Sequence, residues 1–320
     1  MTYPTYSVAI RTLGTSGDKY ITELRSIKCQ TISPEGIYVY IPHGYDITPV
    51  ADEVYIRCDK GMVHQRSLSF NEISSDYILF LDDDIYLPED AVEKMFDAIL
   101  ANHADCLAPA IYENHRMPFI KKVSAAFFAG TLPSFMSSWA FKIRKDSHYS
   151  YCNSPSSVMP SQSASFACFL CNKEAFKKIH FEDERWIDSN KFAFGDDQLF
   201  FFKMYKYGYK LFVHFDTSIK HLDAQTSRVI DRSQIDYVSR FIRFVIWYRT
   251  IYETEESISR RLVSLFAFCM DLVRAFAACI IYMFVGRIYA LPNFFKANIE
   301  AYKYVHSSKY KSIPAFMAHK

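Results

Sequence analysis

The chain has 320 residues, half of them hydrophobic, 17% aromatic and 22% charged, so it can bury a sizeable core and falls outside the disordered class. Only 9 Gly and 12 Pro exclude collagen-like and low-complexity architectures, and no repeat of roughly 20–50 residues is present. The net charge of +2 hides an asymmetry: residues 228–320 carry 14 basic and 7 acidic side chains, net +7, leaving 23 against 28, net −5, for residues 1–227. A nucleic-acid binder normally carries its basic stripe on its recognition element. An acidic front with a basic, aromatic tail instead suits a soluble domain, residues 1–227, held at an anionic membrane surface by a helical region, residues 228–320.

The eight cysteines are scattered, mostly within apolar runs, the pattern of reduced thiols in a reducing compartment. Cys168 and Cys171 form one Cys-x-x-Cys, but no second pair or His pair follows at zinc spacing, and "FACFLC" has the look of a buried strand. The opening "MTYPTYSVAIRTLG" has no basic segment followed by an apolar one, so no signal peptide and a cytoplasmic placement are expected.

In chain order, residues 6–13 predict a strand, 19–29 a helix, 36–42 and 53–58 two strands, and 63–73 a helix. Residues 76–84, "DYILFLDDD", form the clearest strand, an apolar run ending abruptly in three carboxylates. A helix over 88–102 opens with Pro88 and first-turn acids. Residues 131–165 turn to Ser, Pro, Met and aromatics without periodicity and predict a long functional loop, in which Trp139 and Tyr151 are candidates for packing on a ligand ring. A strand at 166–170, helices at 173–179 and 197–207, and a strand at 209–215 complete an alternation that implies an α/β protein with a mainly parallel sheet. From about residue 230 the chain is helical. Its most apolar stretch, 262–285, is long enough to span a bilayer but carries Asp271 and Arg274 near its middle. With Arg243, Arg249, Arg260, Arg261, Arg287 and Lys296 interleaved among Trp247, Tyr282 and Phe294, an interfacial or monotopic placement is favoured over a core helix or a true span.

Asp82, Asp83 and Asp84 fall at the carboxyl end of a buried strand, the edge where open α/β sheets bind ligands. Three adjacent carboxylates repel, and a divalent ion with oxygen ligands, Mg²⁺ or Mn²⁺, would relieve that and bridge to a phosphate. The alternative is a solvated acidic turn. Asp196 and Asp197 follow Gly195 at a helix start, where they serve either as caps or as a general base. His221, just beyond the last strand, is either structural or a metal ligand.

The order "FLDDDIYLPEDAVEKM", Ser-rich loop, "ACFLCNKEAF", "FGDDQLFFFKMYKYGYK" and "IKHL" resembles family-two glycosyltransferases of the GT-A fold, of the bacterial surface-polysaccharide type, over roughly residues 6–225. The resemblance implies a nucleotide-diphosphate sugar donor held through an Asp-x-Asp motif and a divalent metal. On this sequence Asp82 and Asp84 match that motif, with Asp84 as metal ligand and Asp83 lining the sugar or ribose. It further implies Asp197, paired with Asp196, as general base and His221 as metal or diphosphate ligand. Asp59, Gly61 and Arg66 of "DKGMVHQRS" would hold the nucleotide, with Arg11 and Thr12 facing base and ribose; of the family's acidic loop after the second strand only Asp46 matches. The activity so implied is metal-dependent, inverting transfer to a lipid-linked or glycan acceptor on the inner face of the cell membrane. A haloacid-dehalogenase-type phosphatase with Asp82 as nucleophile, and a non-catalytic peripheral membrane protein, are the competing readings.

Overall fold

Strand residues here alternate between two cores. Val8 and Ile10 face one side of the sheet and Ala9 the other; Leu79 and Leu81 oppose Ile78 and Phe80, and Cys168 and Leu170 oppose Phe169 and Cys171. Strands buried on both faces read as continuous apolar runs, which is why "YSVAIR" and "YILFLD" signal so clearly. The computed structural model describes residues 3–50, 52–111, 117–190, 194–222 and 231–320. The expected boundary between residues 227 and 228 lies outside the described residues.

The eight main strands, in chain order, are β1 (Tyr6–Arg11), β2 (Ile37–Pro42), β3 (Val54–Cys58), β4 (Tyr77–Asp82), β5 (Cys106–Pro109), β6 (Val158–Pro160), β7 (Cys168–Asn172) and β8 (Leu211–His214). They lie in the order β6-β8-β5-β7-β4-β1-β2-β3. β1 pairs in parallel with β2 and β4, β2 with β3, and β5 with β8; β7 runs antiparallel to both β4 and β5, and β6 antiparallel to β8. The expected mainly parallel sheet with helices on both faces is thus the architecture observed, with two reversed strands that periodicity could not orient. Helices α1 (Asp18–Lys28) and α3 (Ala91–Asn102) cover one face through Leu24, Ile27, Met95 and Ile99. The other face is built of aromatics, with Phe80 stacked on both Phe169 and Phe176 at 4.6 Å between ring centroids.

Two sequence expectations change. The helix over residues 63–73 shrinks to α2 (Met62–Arg66), because Phe70 adopts φ 47° and turns into the aromatic face against Tyr40, Phe80 and Phe176; burying the ring outweighs local helix propensity. The long loop over 131–165 instead forms a small sheet of Leu132–Ser134, Phe141–Ile143 and Tyr149–Cys152, and then supplies β6. Short strands of three or four residues give too few positions for a period to be read.

Helices α4 (Asp196–Lys206), α5 (Arg232–Trp247), α6 (Ile258–Phe284) and α7 (Ala290–Val305) follow. α5 packs against the aromatic face through Val238, Ile242, Val245 and Ile246, and shares that core with Phe268 of α6 and Ala301 of α7. Trp247 stacks on Phe268 at 4.0 Å and donates from Nε1 to Ser264 Oγ at 3.0 Å. Arg249 is fully buried, its guanidinium donating to both oxygens of Glu184 (2.8 and 2.9 Å) and to the Pro314 carbonyl (2.8 Å). Trp247 and Arg249, expected at a membrane interface, are therefore core groups. α6 is long and apolar enough to cross a membrane, yet its central Asp271 is buried and paired with Arg240 of α5 (2.9 Å), with Arg274 (3.0 Å) and with His148 (3.1 Å). The opposite face exposes Phe266 (69%), Val273 (62%) and Phe284 (87%).

Candidate functional site

β1, β2, β3 and β4 run in parallel, so the residues following each of them collect at one sheet edge. Arg11 ends β1 directly beside Asp82, which ends β4, in the register of that pair. The Arg11 guanidinium grips Asp82, and Arg66 Nη2 approaches the same oxygen at 3.6 Å. Burial opposes ionisation of Asp82, but the two arginines outweigh it and hold its pKa below the ordinary value. Thr12 Oγ1 donates to Asp83 and accepts from the Gly14 amide at 2.8 Å. Burial pushes the pKa of Asp83 up, reinforced by its charged neighbours Asp82 and Asp84 and opposed by the hydroxyls of Thr12 and Ser16. Asp84 turns the other way. The short strand Ile85–Tyr86 pairs antiparallel with Lys220–His221, the Leu222 amide donates to the Asp84 carbonyl at 2.8 Å, and His221 Nε2 sits 3.3 Å from Asp84 Oδ1.

Arg66 links this edge to the second acidic pair. Its side chain lies over the Phe166 ring at 4.3 Å and contacts Asp196 as well as Asp82. Asp196 is thereby engaged, whereas Asp197, beside it in the first turn of α4, lines a cavity of about 320 Å³. Burial raises the Asp197 pKa, against the Gln198 amide, which donates to its Oδ1 at 2.6 Å, and the nearby Arg66 and Arg243. A carboxylate that is desolvated and opens on a cavity has the environment of a general base. Phe141, Tyr149, Ile242 and Ile246 supply apolar walls. Gly195, at φ 77°, holds a backbone conformation that strains any side chain, and a Cβ there would meet Ile246 Cδ1 of α5 at 2.7 Å.

The structure does not gather every expected residue. Asp46 pairs with Arg57 (2.9 Å) and Asp59 approaches His64 (3.8 Å), both carboxylates well exposed on the loops after β2 and β3. Gly61 serves packing: a Cβ would lie 2.6 Å from Asp188 Oδ2, and Asp188 caps α2 by accepting from the amides of Val63 (3.0 Å) and His64 (2.8 Å). Asp82, expected to share a metal with Asp84 and His221, faces the arginines, and among the described residues no three His, Cys, Asp or Glu side chains converge as a metal set. Asp84 and His221 remain as a carboxylate–imidazole pair. Two protein ligands completed by substrate phosphate and water fit Mn²⁺ or Mg²⁺, which seldom rely on an all-protein cage. Trp139 packs edge-on against Tyr205 and Tyr151 is buried, so neither lines the cavity.

Three contributors escape sequence reasoning. Asp188 sits in the 3-10 helix Phe181–Ser189, 125 residues from its partner Val63. Glu23 reads as a surface acid of α1 but is fully buried behind the triplet, accepting from the Ile85 amide at 3.2 Å, with burial driving its pKa well up. Arg243 comes from the tail, yet it lines the Asp197 cavity and donates to Gln198 Oε1 at 3.2 Å.

Sheet order and the carboxylate-bearing edge together define an α/β protein with its candidate site at the ends of parallel strands. Residues 54–179 match the family model described as "Glycosyl transferase family 2", so the chain carries a family-two glycosyltransferase region, as its motifs led us to expect. The match takes in Asp59, Gly61, Arg66 and the Asp82–Asp84 triplet and ends before Asp197 and His221. Among solved structures, the chain is similar to S. aureus TarS, with 13% identity and a TM-score of 0.47 over 83% of this chain and 43% of that one. It is also similar to GalNAc-T7, solved with UDP, GalNAc and Mn²⁺, with 12% identity and a TM-score of 0.49 over 84% of this chain and 54% of that one. The chain thus spans about half the length of these neighbours. No curated protein matches it.

Proposed function

We propose that the protein is a metal-dependent, inverting glycosyltransferase that moves a sugar from a nucleotide-diphosphate donor to a lipid-linked or glycan acceptor. The observation that carries this reading is the placement of Arg66, which contacts Asp82 on the donor edge and Asp196 beside the Asp197 cavity, so that donor and acceptor positions meet within one side chain's reach. In this reading Arg11, Thr12, Asp82 and Asp83 hold the nucleoside and sugar, Arg66 completes the wall, and Asp46, Asp59 and Gly61 border the nucleotide from the neighbouring loops. Asp84 and His221 would hold Mn²⁺ or Mg²⁺, whose contribution is to neutralise the diphosphate leaving group.

Asp197 accepts the proton of the acceptor hydroxyl as that oxygen attacks the anomeric carbon from the side opposite the diphosphate. One general base and direct displacement invert the anomeric centre, and no carboxylate has to form a glycosyl intermediate. The apolar walls of the cavity exclude water, limiting donor hydrolysis. Clamping by two guanidinium groups makes Asp82 a poor nucleophile, which weighs against phosphatase chemistry. The exposed apolar face of α6 supports attachment to the inner face of the cell membrane, where a lipid-linked acceptor would be met in two dimensions.

The reading is tested by thermal denaturation with Mn²⁺ and a panel of nucleoside diphosphates, wild type beside Asp84→Ala. At a hundredfold excess over its dissociation constant a ligand stabilises by about 2.7 kcal/mol. A rise with one nucleotide that requires Mn²⁺ and disappears in Asp84→Ala is expected; no rise with any nucleotide would refute the donor site.

A further inference from the structure

A second cavity, of about 300 Å³, lies between α5, α6, α7 and the turn Ala125–Ala129. Three arginines line it: Arg240, Arg243 and Arg274. Two carboxylates oppose them, Asp236 on the wall and Asp271, which already binds Arg240 (2.9 Å) and Arg274 (3.0 Å). His148 adds no charge near neutrality, since burial, with Arg243 nearby, pushes its pKa down to about 4. Among these five groups one cation is in excess, and burial weighs on both Arg240 and Arg243.

Two of these groups have donors to spare for an anion, Arg240 being held by Asp271 through Nη1 alone. Arg240 is nine-tenths buried, and its Nη2 has no hydrogen-bond partner among the described residues. Arg243 donates to the Ser147 carbonyl (2.9 Å) and Gln198 Oε1 (3.2 Å), both neutral, and among the described residues forms no ion pair. A desolvated guanidinium without a counter-ion is costly, and a planar fork of this kind matches phosphate oxygens.

The position of the cavity specifies what the phosphate belongs to. Arg243 and Ser239 line this cavity and also the one in front of Asp197. On its far wall are Ala275, Ala278, Cys279 and Tyr282 of α6, the helix whose outer face exposes Phe266, Val273 and Phe284. An anionic pocket lying between a catalytic cavity and an apolar surface suits a phosphate that carries an apolar chain on one side and the reacting group on the other. We propose that the Arg240–Arg243–Arg274 cavity binds the phosphate of a lipid-linked acceptor and thereby presents its sugar hydroxyl to Asp197. The assignment of that phosphate to an acceptor rests on the glycosyltransferase reading; the anion site itself does not.

The test uses the full chain in EDTA, titrated with dihexanoyl phosphatidic acid, dihexanoylglycerol or inorganic phosphate and followed by melting temperature. Arg243→Gln keeps donors for the Ser147 carbonyl and Gln198, and Arg243→Lys keeps the charge. Phosphatidic acid is expected to stabilise wild type and Arg243→Lys, to bind Arg243→Gln about tenfold more weakly, and to act where dihexanoylglycerol does not. Equal binding to wild type and Arg243→Gln, or no binding to wild type, would overturn the proposal. Inorganic phosphate binding as tightly as the lipid would overturn its lipid part and assign the site to free phosphate. A nucleoside diphosphate with Mn²⁺, titrated into the same variants without EDTA, separates the two readings: loss of that binding with phosphatidic acid binding intact removes the donor site and leaves the anion site standing.

Discussion

Replacing Asp271 with Asn removes the charge on which α6 is anchored. The Asp271 side chain is fully buried and meets Arg240 at 2.9 Å, Arg274 at 3.0 Å and His148 at 3.1 Å. Its pKa is held well below the carboxylate range: burial alone would raise it, and the surrounding donors and arginines more than reverse that. The amide fills the same volume but leaves two guanidinium groups facing each other with no anion between them. Breaking a buried ion pair by removing one partner costs about 3–5 kcal/mol. At about 2 °C per kcal/mol for a chain of this size, the melting temperature should fall by about 6–10 °C. Urea denaturation of the wild type and Asp271→Asn, with equal slopes, measures the loss directly. A loss below about 1 kcal/mol would mean that water reaches the network and that the charges of α6 are not held inward as described.

Three further outcomes follow from particular contacts. His148, with its pKa pushed down to about 4 by burial, stays neutral in the fold while the unfolded chain protonates near 6.5. Stability contributed there is full above pH 6.5 and declines toward pH 4, by about 2 kcal/mol between pH 7 and pH 5; His148→Gln should flatten that part of the urea-midpoint profile, and an unchanged profile would exclude His148 as its source. Asp188→Ala removes the cap on the Val63 and His64 amides and should cost about 1–2 kcal/mol, with weaker nucleotide binding because Arg66 ends the helix so capped. Val273→Glu, on the exposed face of α6, should reduce co-sedimentation with anionic vesicles while leaving the melting temperature within about 1 °C; undiminished co-sedimentation would show that this face does not meet lipid.

The central sheet was legible because its strands are buried on both faces and end in unmistakable places, at Arg11 and at Asp82–Asp84. Its two reversed strands were not, since "FACFLC" has the same apolar pattern in either direction and β6 is only three residues long. Within the site, the pairing of Asp84 with His221 follows from two short segments whose backbones meet, and the sequence already placed both at strand ends. The contacts of Asp46 and Asp59 with Arg57 and His64 could not be read from sequence, since each pair joins residues on loops or strands that only the fold brings together. The largest gap concerns the tail. Composition marked it as basic and aromatic, but composition cannot distinguish an arginine lying at a lipid surface from one buried on Glu184, as Arg249 is, or from one facing a cavity, as Arg243 does.

Turnover of a donor tests the account most directly. The purified full chain, with Mn²⁺ and a membrane-lipid extract as acceptor, is given a panel of nucleotide-diphosphate sugars, and both nucleoside diphosphate release and sugar in the lipid phase are measured for wild type and Asp197→Asn. One donor should be consumed by the wild type, with its sugar recovered in the lipid phase. Asp197→Asn should slow that transfer by about 10²–10⁴-fold while binding the same nucleotide with unchanged affinity. Transfer by Asp197→Asn at the wild-type rate, or no turnover of any donor by the wild type, would contradict the account.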